Sequence, residues 1–230
     1  MIEDKISAPI EEKPQSISGR GLAVVIPALN EADNIGAVVA GVIINAQVIV
    51  VDDGSTDKTA TVAHDAGAHV ISHSINLGYD KALESGIIEA RKLGCAYAIT
   101  MDADGQHDPN LLLQFFRELE SGADIVVGIR DHKQRWSETL FSYVGSIFWG
   151  LHDPLCGMKA YRIGAFNNIS NFNSYRSVGT ELAIRMLRSK AKLKQINIIT
   201  KPRSGVSRFG AGLKANLIII SALLHALFNR

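Results

Sequence analysis

Short apolar runs rich in Val and Ile alternate with helix-like stretches through the first part of the chain, and few folds accept such a pattern. The apolar runs lie at residues 22–26, 48–51, 69–71, 97–99 and 124–128. The stretches with helical spacing or capping residues lie at 31–44, 55–66, 79–92 and 109–120. Strands that alternate with helices build a mostly parallel sheet with helices on both faces. The sequence therefore predicts a single Rossmann-like α/β domain, in which Pro27 ends the first strand and Ser55 or Thr56 caps the second helix.

The pattern changes after Arg130, yet no linker or repeat divides the chain. The remaining elements are a helix at 136–149, a strand at the sheet edge at 158–162, a helix at 177–189, a strand at 196–199 and a helix at 213–228. Residues 1–20 mix Glu, Lys, Pro, Ser and Gly without periodicity, which predicts a flexible arm. We therefore expect one domain over residues 21–210, between this arm and an apolar C-terminal helix over 211–230.

Charge and apolar content exclude several classes of protein. A net charge of +1 gives no field that would attract nucleic acid. Cys95 and Cys156 lack metal-ligand or redox-motif spacing, so we expect both to be reduced, structural thiols. The arm lacks the apolar core of a signal peptide, so we expect a cytoplasmic protein. Residues 217–228 would span about 18 Å as a helix, short of the ~30 Å hydrocarbon core. Three alternatives stay open for the C-terminal helix: packing on the domain, a homodimer face, or peripheral contact with one membrane leaflet.

Two carboxylates one residue apart follow the predicted strand at 97–99. Asp102 and Asp104 project to the same side of an extended chain, at the strand end where open α/β sheets bind ligands. Carboxylate oxygens suit a hard divalent cation, which commonly completes its shell with substrate phosphates. Pro109 is expected to start the next helix and so to fix the loop. Taken alone, the loop also fits a capped turn before a helix.

The first two strands are expected to end at the same edge of the sheet. Residues 27–31 read Pro-Ala-Leu-Asn-Glu, and residues 52–57 read Asp-Asp-Gly-Ser-Thr-Asp. Asp52 is suited to accept hydrogen bonds from a nucleotide base, Gly54 permits a tight turn, and the following helix N-terminus favours an anion. The alternative for this segment is an ordinary turn and N-cap. The loop at 76–79 is a weaker candidate source of backbone N–H donors.

Together these segments resemble family-2 glycosyltransferases, which have the A-type nucleotide-sugar-binding fold. The resemblance spans residues 21–210 and rests on three segments that agree in order and spacing: residues 25–31, 51–57 and 102–107. Within the family, the chain most resembles polyprenyl-phosphate (dolichol-phosphate-type) sugar synthases, through residues 104–107, 153–159 and 203–208. Cys156, Met158 and Lys159 stand where that group usually has Ser, Phe and Arg, which leaves the sugar and the acceptor open.

The resemblance implies a role for each segment. It places the nucleotide sugar beside Pro27, Leu29, Glu31, Asp52, Asp53, Asp102, Ala103, Gln106 and Asp153. It places Mg²⁺ or Mn²⁺ and the diphosphate beside Asp102, Asp104 and Gln106, with Asp104 catalytic. A divalent cation neutralises the charge that develops on a leaving diphosphate, so no side-chain nucleophile is required. His107, beside this loop, is a further candidate metal ligand.

The acceptor decides whether a general base is needed. A sugar hydroxyl must lose a proton, whereas a lipid phosphate is already ionised. Guanidinium groups can hold phosphate through two hydrogen bonds, and each basic residue alone also fits a solvated surface charge. The candidate acceptor-phosphate residues are Arg130, Arg135, Arg203, Ser207 and Arg208, of which Arg135 and Arg203 are expected to be catalytic. Three roles are open to Asp153: general base, sugar ligand, or cap before Pro154.

The resemblance therefore predicts a metal-dependent inverting glycosyltransferase that moves a sugar from a nucleotide-diphosphate donor to a polyprenyl phosphate. One alternative is transfer to a glycan hydroxyl, with Asp153 or another carboxylate as base. Another is a non-catalytic nucleotide-sugar-binding partner of a membrane complex. The intact acidic loop argues against a pure binder, which needs no metal at the leaving group.

Overall fold

The computed structural model describes residues 21–133, 135–165, 179–201 and 213–228. Within them, the strands are Leu22–Ala28 (β1), Gln47–Asp52 (β2), His69–Ser72 (β3), Tyr97–Thr100 (β4), Ile125–Arg130 (β5), Lys159–Arg162 (β6) and Leu193–Ile198 (β7). The α-helices are Ala32–Val42 (α1), Thr59–Asp65 (α2), Tyr79–Lys92 (α3), Leu111–Glu120 (α4), Trp136–Trp149 (α5), Thr180–Arg188 (α6) and Leu213–Phe228 (α7). The predicted arm at 1–20 and the candidate residues Arg203, Ser207 and Arg208 lie outside the described residues.

All seven strands form one sheet in the order β3-β2-β1-β4-β6-β5-β7. Only β6 is antiparallel to its neighbours, so the predicted mostly parallel α/β sheet is confirmed. The prediction that the strand at 158–162 lies at the edge is wrong, because β6 inserts between β4 and β5. Charged residues such as Lys159 and Arg162 are typical of edge strands, but Lys159 is buried here among other charged groups.

Pro27 lies inside β1 rather than at its end, which corrects a second prediction. Successive residues of a strand direct their backbone groups to opposite neighbours. The Ala28 carbonyl accepts from Asp53 on the β2 side, and the Val25 carbonyl accepts from Met101 on the β4 side. Pro27 therefore faces the β4 side beyond Thr100, where β4 ends. The proline is tolerated there because, at this level, β4 has no strand residue whose carbonyl would need the N–H that proline lacks.

Three helices begin at least two residues later than predicted, and one of them is α6, which starts at Thr180 instead of residue 177. The second helix starts at Thr59, because Ser55 and Thr56 bind the loop after β1 instead of capping a helix. Ser55 Oγ accepts from the Asn30 N–H, and the Thr56 N–H donates to Asn30 Oδ1. The fourth helix starts at Leu111 rather than at Pro109.

Alternate residues of the strands enter two separate cores. Val24 and Ile26 pack with α1, α2 and α4 on one face, whereas Ala23 and Val25 pack with α3 and α6 on the other. Each fully buried aliphatic side chain contributes roughly 1.5–3 kcal/mol. This burial on both faces holds β1, β2 and β4 side by side, so the loops that follow them have a rigid base.

The C-terminal helix forms as predicted and packs against α5. Phe141 of α5 and Ile219, Ala222 and Leu223 of α7 make a third, smaller cluster. Over the described ranges, no helix combines the length and the apolar character needed to cross a membrane. The division of the chain into arm, domain and terminal helix stays a prediction.

Candidate active site

The C-terminal ends of β2, β1 and β4 lie next to one another at one edge of the sheet, as predicted. From β1 the chain moves outward to β2 and β3, and β4 then pairs with the other side of β1. The loops after β1 and β4 consequently diverge at a topological switch point. Open α/β sheets bind their ligands in the crevice at such a point.

Side chains of the β2–α2 loop tie it to the loop after β1. Asn30, at a left-handed φ of 53°, accepts at Oδ1 from the Thr56 N–H at 2.8 Å. Its own N–H donates to Ser55 Oγ at 2.9 Å. The Glu31 N–H donates to Thr59 Oγ1 at 2.8 Å. These bonds fix the backbone of the two loops relative to each other, including that of Glu31.

Asp52 is the last residue of β2 and is buried beside the end of β1, opposite Ala28 in the strand register. Its Oδ1 accepts from the Ser55 N–H at 3.2 Å. The next turn needs Gly54, which has φ of 75° and whose added Cβ would lie 2.6 Å from the backbone of Ile75. The predicted tight turn is therefore confirmed. In the strand register, Pro27 lies opposite Val51, the residue before Asp52. The joint contact of Asp52, Pro27, Leu29 and Glu31 with a nucleotide stays a prediction.

Asp53 is engaged by a neighbouring loop of the protein. Its Oδ1 accepts from the Leu77 N–H at 2.9 Å and lies 2.7 Å from His73 Nδ1. Its Oδ2 accepts from the Gly78 N–H at 2.8 Å. These contacts favour a positioning role, because Asp53 pins the segment before α3 to the end of β2. Its contact with a nucleotide sugar stays a prediction.

The two carboxylates of the acidic loop follow β4. The Tyr79 hydroxyl donates to Asp102 Oδ1 at 2.9 Å, from the first residue of α3. Asp104 is buried, as is the adjacent Ala103, and Asp104 Oδ1 accepts from the Gln106 N–H at 3.1 Å. Each carboxylate is thus oriented by a neutral donor. A hydrogen bond from a neutral donor fixes the position of the carboxylate and does not cancel its negative charge.

Two residues that follow Asp104 connect the acidic loop to its surroundings. His107 is buried, and its Nδ1 accepts from the Asp102 N–H at 3.4 Å, which favours a structural role over a metal ligand. Gln106 donates from Nε2 to the Lys201 carbonyl at 3.1 Å, and its own carbonyl accepts from the Lys201 N–H at 3.0 Å. In sequence, Lys201 immediately precedes the segment 202–212, which contains the candidate Arg203.

Gly157 provides the space that Asp102 occupies. A Cβ at position 157 would lie 2.2 Å from Asp102 Oδ2. The Gly157 carbonyl also accepts from Thr100 Oγ1 at 2.8 Å, at the end of β4. The insertion of β6 beside β4 therefore places the segment around 157 against the acidic loop.

The oxygen donors of this loop fit a hard divalent cation. In the part of the chain that the structure describes, no three His, Cys, Asp or Glu side chains are grouped closely enough to hold a metal on their own. A cation here would take carboxylate oxygens from Asp102 and Asp104, and the remainder of its shell from diphosphate and water. Mg²⁺ commonly binds in this way, through one or two carboxylates and substrate phosphates.

Two of the predicted acceptor residues belong to a buried ionic network. Arg130 donates from Nε to Asp153 Oδ2 at 2.8 Å and from Nη2 to Asp153 Oδ1 at 2.9 Å. Glu138 pairs with Arg130 Nη2 at 3.2 Å and accepts from Arg135 Nη1 at 2.9 Å. Burial alone would lower the pKa of Arg130, but the hydrogen bonds and charge of Asp153 outweigh it and raise that pKa.

This network separates the roles left open for Asp153. Its carboxylate is fully buried, and Arg130 holds both oxygens, so the contacts favour a structural role over a general base. In the same pair, the Nε and Nη2 donors of Arg130 are both engaged by Asp153. Contact of Arg130 or Arg135 with an acceptor phosphate stays a prediction.

A buried lysine lies between the acidic loop and the ionic network. Lys159 sits in the interior of the sheet and donates from Nζ to the Cys156 carbonyl. Burial lowers the pKa of Lys159, and the negative charges of Asp153 and Asp102 oppose that effect. Lys159 therefore couples electrostatically to both sides of the site.

Four residues shape this site in ways that were not predicted from the sequence: Tyr79, Glu138, Gly157 and Lys159. Tyr79 was expected to contribute at most a backbone N–H. Two of them lie in the quoted segment 153–159, where only an acceptor or sugar role was expected. Tyr79 begins a helix directly after a glycine, and Glu138 stands three residues after Arg135 on the same helix turn. No local pattern marks either side chain as part of a site.

The family of the chain follows from comparison with known proteins. The profile of Glycosyl transferase family 2 matches residues 23–169, and the chain belongs to this family of glycosyltransferases. A dolichyl-phosphate hexose transferase of Haloferax volcanii is 28% identical over 221 residues, which are 89% of this chain and 94% of that protein. A polyprenol monophosphomannose synthase of Mycolicibacterium smegmatis is 28% identical over 160 residues, 60% of each protein.

A solved structure shares the fold. Glucosyl-3-phosphoglycerate synthase of Mycobacterium tuberculosis, crystallised with Mn²⁺, UDP and phosphoglyceric acid, matches with a TM-score of 0.71 at 21% identity, over 91% of this chain and 79% of that chain. The same enzyme has been crystallised with Mg²⁺ and UDP. The likeness confirms the predicted A-type glycosyltransferase fold.

Proposed function

We propose that this glycosyltransferase moves one sugar, with inversion and with Mg²⁺ or Mn²⁺, from a nucleoside-diphosphate donor to a polyprenyl (dolichyl-type) phosphate at the cytoplasmic face of a membrane. The observation that supports a phosphate acceptor is the pairing of Asp153 with Arg130. This pair occupies the carboxylate that is the leading candidate for a general base. An acceptor that is already ionised needs no base. The two relatives named for lipid-phosphate sugar transfer support the same acceptor class.

On the donor side, Asp102 and Asp104 are proposed to hold the cation. When bound, that cation supplies Lewis-acid stabilisation of the leaving diphosphate. Tyr79 and Gly157 keep Asp102 in place, one by a hydrogen bond and the other by leaving room. Asp52 is proposed to accept from the nucleotide base, at the opposite end of the crevice.

On the acceptor side, the proposal assigns the lipid phosphate to Arg135 and to residues that follow Lys201 in sequence. Arg135 stands at the start of α5 and keeps its orientation through Glu138. Arg203, Ser207 and Arg208 complete the proposed set. A guanidinium suits this task because its planar fork matches two phosphate oxygens.

A hydroxyl acceptor is the second candidate, because the structural neighbour at 21% identity binds phosphoglyceric acid together with UDP. Such an acceptor would require a general base. Asp153 is a poor candidate for that role, because both of its carboxylate oxygens accept hydrogen bonds from Arg130. The chemistry of the product distinguishes the two candidates: a sugar phosphodiester or a glycoside.

The test incubates the protein and Mg²⁺ with UDP- and GDP-sugars against short polyprenyl phosphates, phosphoglycerate and glycan acceptors, and identifies products by mass spectrometry. We expect a lipid-phospho-sugar of inverted anomeric configuration. Its rate should be nearly constant from about pH 6.5 to 8.5, above the second phosphate ionisation near ~6. A glycoside product would establish the hydroxyl candidate, and donor binding without any turnover would support a non-catalytic partner.

A further inference from the structure

The outer side of α5 is apolar, whereas a surface helix normally exposes polar residues. Five large apolar side chains are exposed on this side beside the polar Thr139, and the first four of the five recur at spacings of three and four residues, which aligns those four in one row along the helix. The five side chains are 39–68% exposed and comprise Trp136, Leu140, Tyr143, Ile147 and Phe148. The opposite side of α5 packs inward through Phe141. This helix therefore presents apolar surface both to the protein and to its surroundings.

The C-terminal helix has the same character. Its outward side chains are 48–80% exposed and comprise Leu213, Leu217, Leu224 and Phe228, while Ile219 and Leu223 are buried. Lys214 and Ser221 are the exposed polar residues of this helix, so most of its outward surface is apolar. At ~1.5 Å per residue this helix is about 24 Å long, too short to cross a ~30 Å hydrocarbon layer.

The two helices run side by side in the same direction. Near their N-terminal ends, Ser137 Oγ donates to Asn216 Oδ1 at 2.6 Å. Near their C-terminal ends, Arg188 donates from Nη2 to the Ala226 carbonyl at 2.6 Å, and its guanidinium carbon lies 6.0 Å from the centre of the Trp149 ring. We call the nine exposed side chains given above, together on α5 and α7, the two-helix face.

Charge distinguishes the partners that this face could take. α5 contains one acidic residue, Glu138, which is buried against Arg130 and Arg135, and α7 contains none. The exposed charge on the two helices is the cation Lys214. Apolar surface with a basic and no acidic exposed charge fits an anionic lipid layer, where apolar burial and attraction to headgroups add.

We infer that the two-helix face docks into one leaflet of an anionic bilayer. This inference rests on the proposed function, because the proposed acceptor lipid lies in the same leaflet. The row on α5 starts at Trp136, directly after Arg135, so the face is continuous with the proposed acceptor side. Docking there places the start of α5 at headgroup level, where lipid phosphates lie. A contact between two copies of the chain would explain the apolar side chains but not this continuity.

The test measures flotation of the full chain with vesicles of phosphatidylglycerol and phosphatidylcholine. Ile147→Glu and Leu217→Glu place a carboxylate on the face, one on each helix. Ile44→Glu is the matched control, because Ile44 is 73% exposed and lies outside the face. Each face variant should weaken vesicle binding roughly 10-fold or more, since it removes apolar burial and adds repulsion. The control should bind like the wild type.

Activity assays separate this inference from the proposed function. With a water-soluble, short-chain acceptor, both face variants should turn over like the wild type, whereas with a long-chain acceptor in vesicles they should lose roughly 10-fold. Wild-type protein that ignores anionic vesicles, or face variants that bind them equally well, would overturn the inference. A dimer in sedimentation velocity that Ile147→Glu splits, without vesicle binding, would assign the face to a second copy. Vesicle binding without lipid-phosphate turnover would instead defeat the proposed function alone.

Discussion

Arg130 holds Asp153 by two parallel hydrogen bonds, Nε to Oδ2 and Nη2 to Oδ1, at 2.8 and 2.9 Å. A third bond comes from the Arg130 backbone N–H to Oδ2 at 3.1 Å. Two-pronged pairs of this kind combine charge with fixed geometry. Both carboxylate oxygens of Asp153 are therefore already occupied by donors of Arg130. These contacts favour a carboxylate that holds an arginine over one that serves as a general base.

The first prediction concerns stability. Asp153→Asn should lower the free energy of unfolding by about 3–5 kcal/mol, because removing one partner leaves the other charge buried. Urea denaturation measures the loss, and Asp65→Asn, at an exposed site, is the control. The double change Arg130→Met with Asp153→Leu should recover much of the stability. A single variant as stable as the wild type would show that the pair is solvated.

The same variant tests the acceptor when it is compared with Arg203→Ala. Asp153→Asn should keep measurable turnover per folded molecule, since an ionised phosphate needs no deprotonation. Arg203→Ala should impair acceptor use, and Arg203→Lys should not restore it fully, because lysine lacks the planar fork. Loss of all turnover in folded Asp153→Asn, with a harmless Arg203→Ala, would point to a hydroxyl acceptor.

Asp104→Ala should reduce turnover roughly 100-fold or more, which is at least ~3 kcal/mol of transition-state stabilisation. The physical reason is loss of a carboxylate oxygen from the cation beside the leaving diphosphate. Steady-state rates and Mn²⁺ binding by electron paramagnetic resonance measure the change, with Asp65→Ala as the control. Excess EDTA should abolish wild-type activity. Full activity in EDTA would remove the metal from the mechanism.

Gly157→Ala should damage the site without removing any functional group. The new Cβ would lie 2.2 Å from Asp102 Oδ2, so the carboxylate must move. A displacement near 1 Å can cost roughly 100-fold in rate, and we expect both turnover and Mn²⁺ affinity to fall. Gly164→Ala is the matched control, because a Cβ there meets nothing within 4 Å. Equal activity of the two variants would mean that Asp102 tolerates the shift.

Tyr79→Phe should lower turnover roughly 10-fold, because a hydrogen bond to a charged group contributes about 1.5–3 kcal/mol. The lost bond is the one from the hydroxyl to Asp102 Oδ1. Tyr97→Phe also loses a described hydroxyl contact, to Arg162, but at the start of β4 instead of beyond its end. The metal concentration for half-maximal rate should rise in the first variant and stay constant in the second. An unchanged metal requirement would show that Tyr79 does not orient Asp102.

Asp52→Ala should raise the donor KM roughly 10-fold with little change in kcat, because its proposed contact is with the base, away from the reacting bond. Donor titrations with the corresponding nucleoside diphosphate measure the affinity directly. Asp33→Ala, on the exposed side of α1, is the control. A collapse of kcat at constant donor affinity would place Asp52 near the reaction instead.

The order of elements and the acidic loop were predictable because their signals are local. Alternation of apolar runs with helical spacing sufficed for the mostly parallel sheet, and α3, α5 and α7 have the predicted bounds. Asp102 and Asp104 were recognisable as candidates because they follow a buried apolar run at a strand end and because the segments around them resemble those of a known family. Taken alone, the loop also fitted a capped turn. The order of the strands was harder to predict from the sequence, because the four residues of β6 show no pattern that distinguishes a central strand from an edge strand.

The tertiary structure decided which charges meet. Arg130 and Asp153 are 23 residues apart, and Tyr79 and Asp102 are also 23 residues apart, so only folding brings each pair into contact. The insertion of β6 buries Lys159 and places Gly157 against Asp102. A sequence records the donors and acceptors available, residue by residue. Their partners depend on strand order and register, which are set by burial on both faces of the sheet rather than by neighbours along the chain.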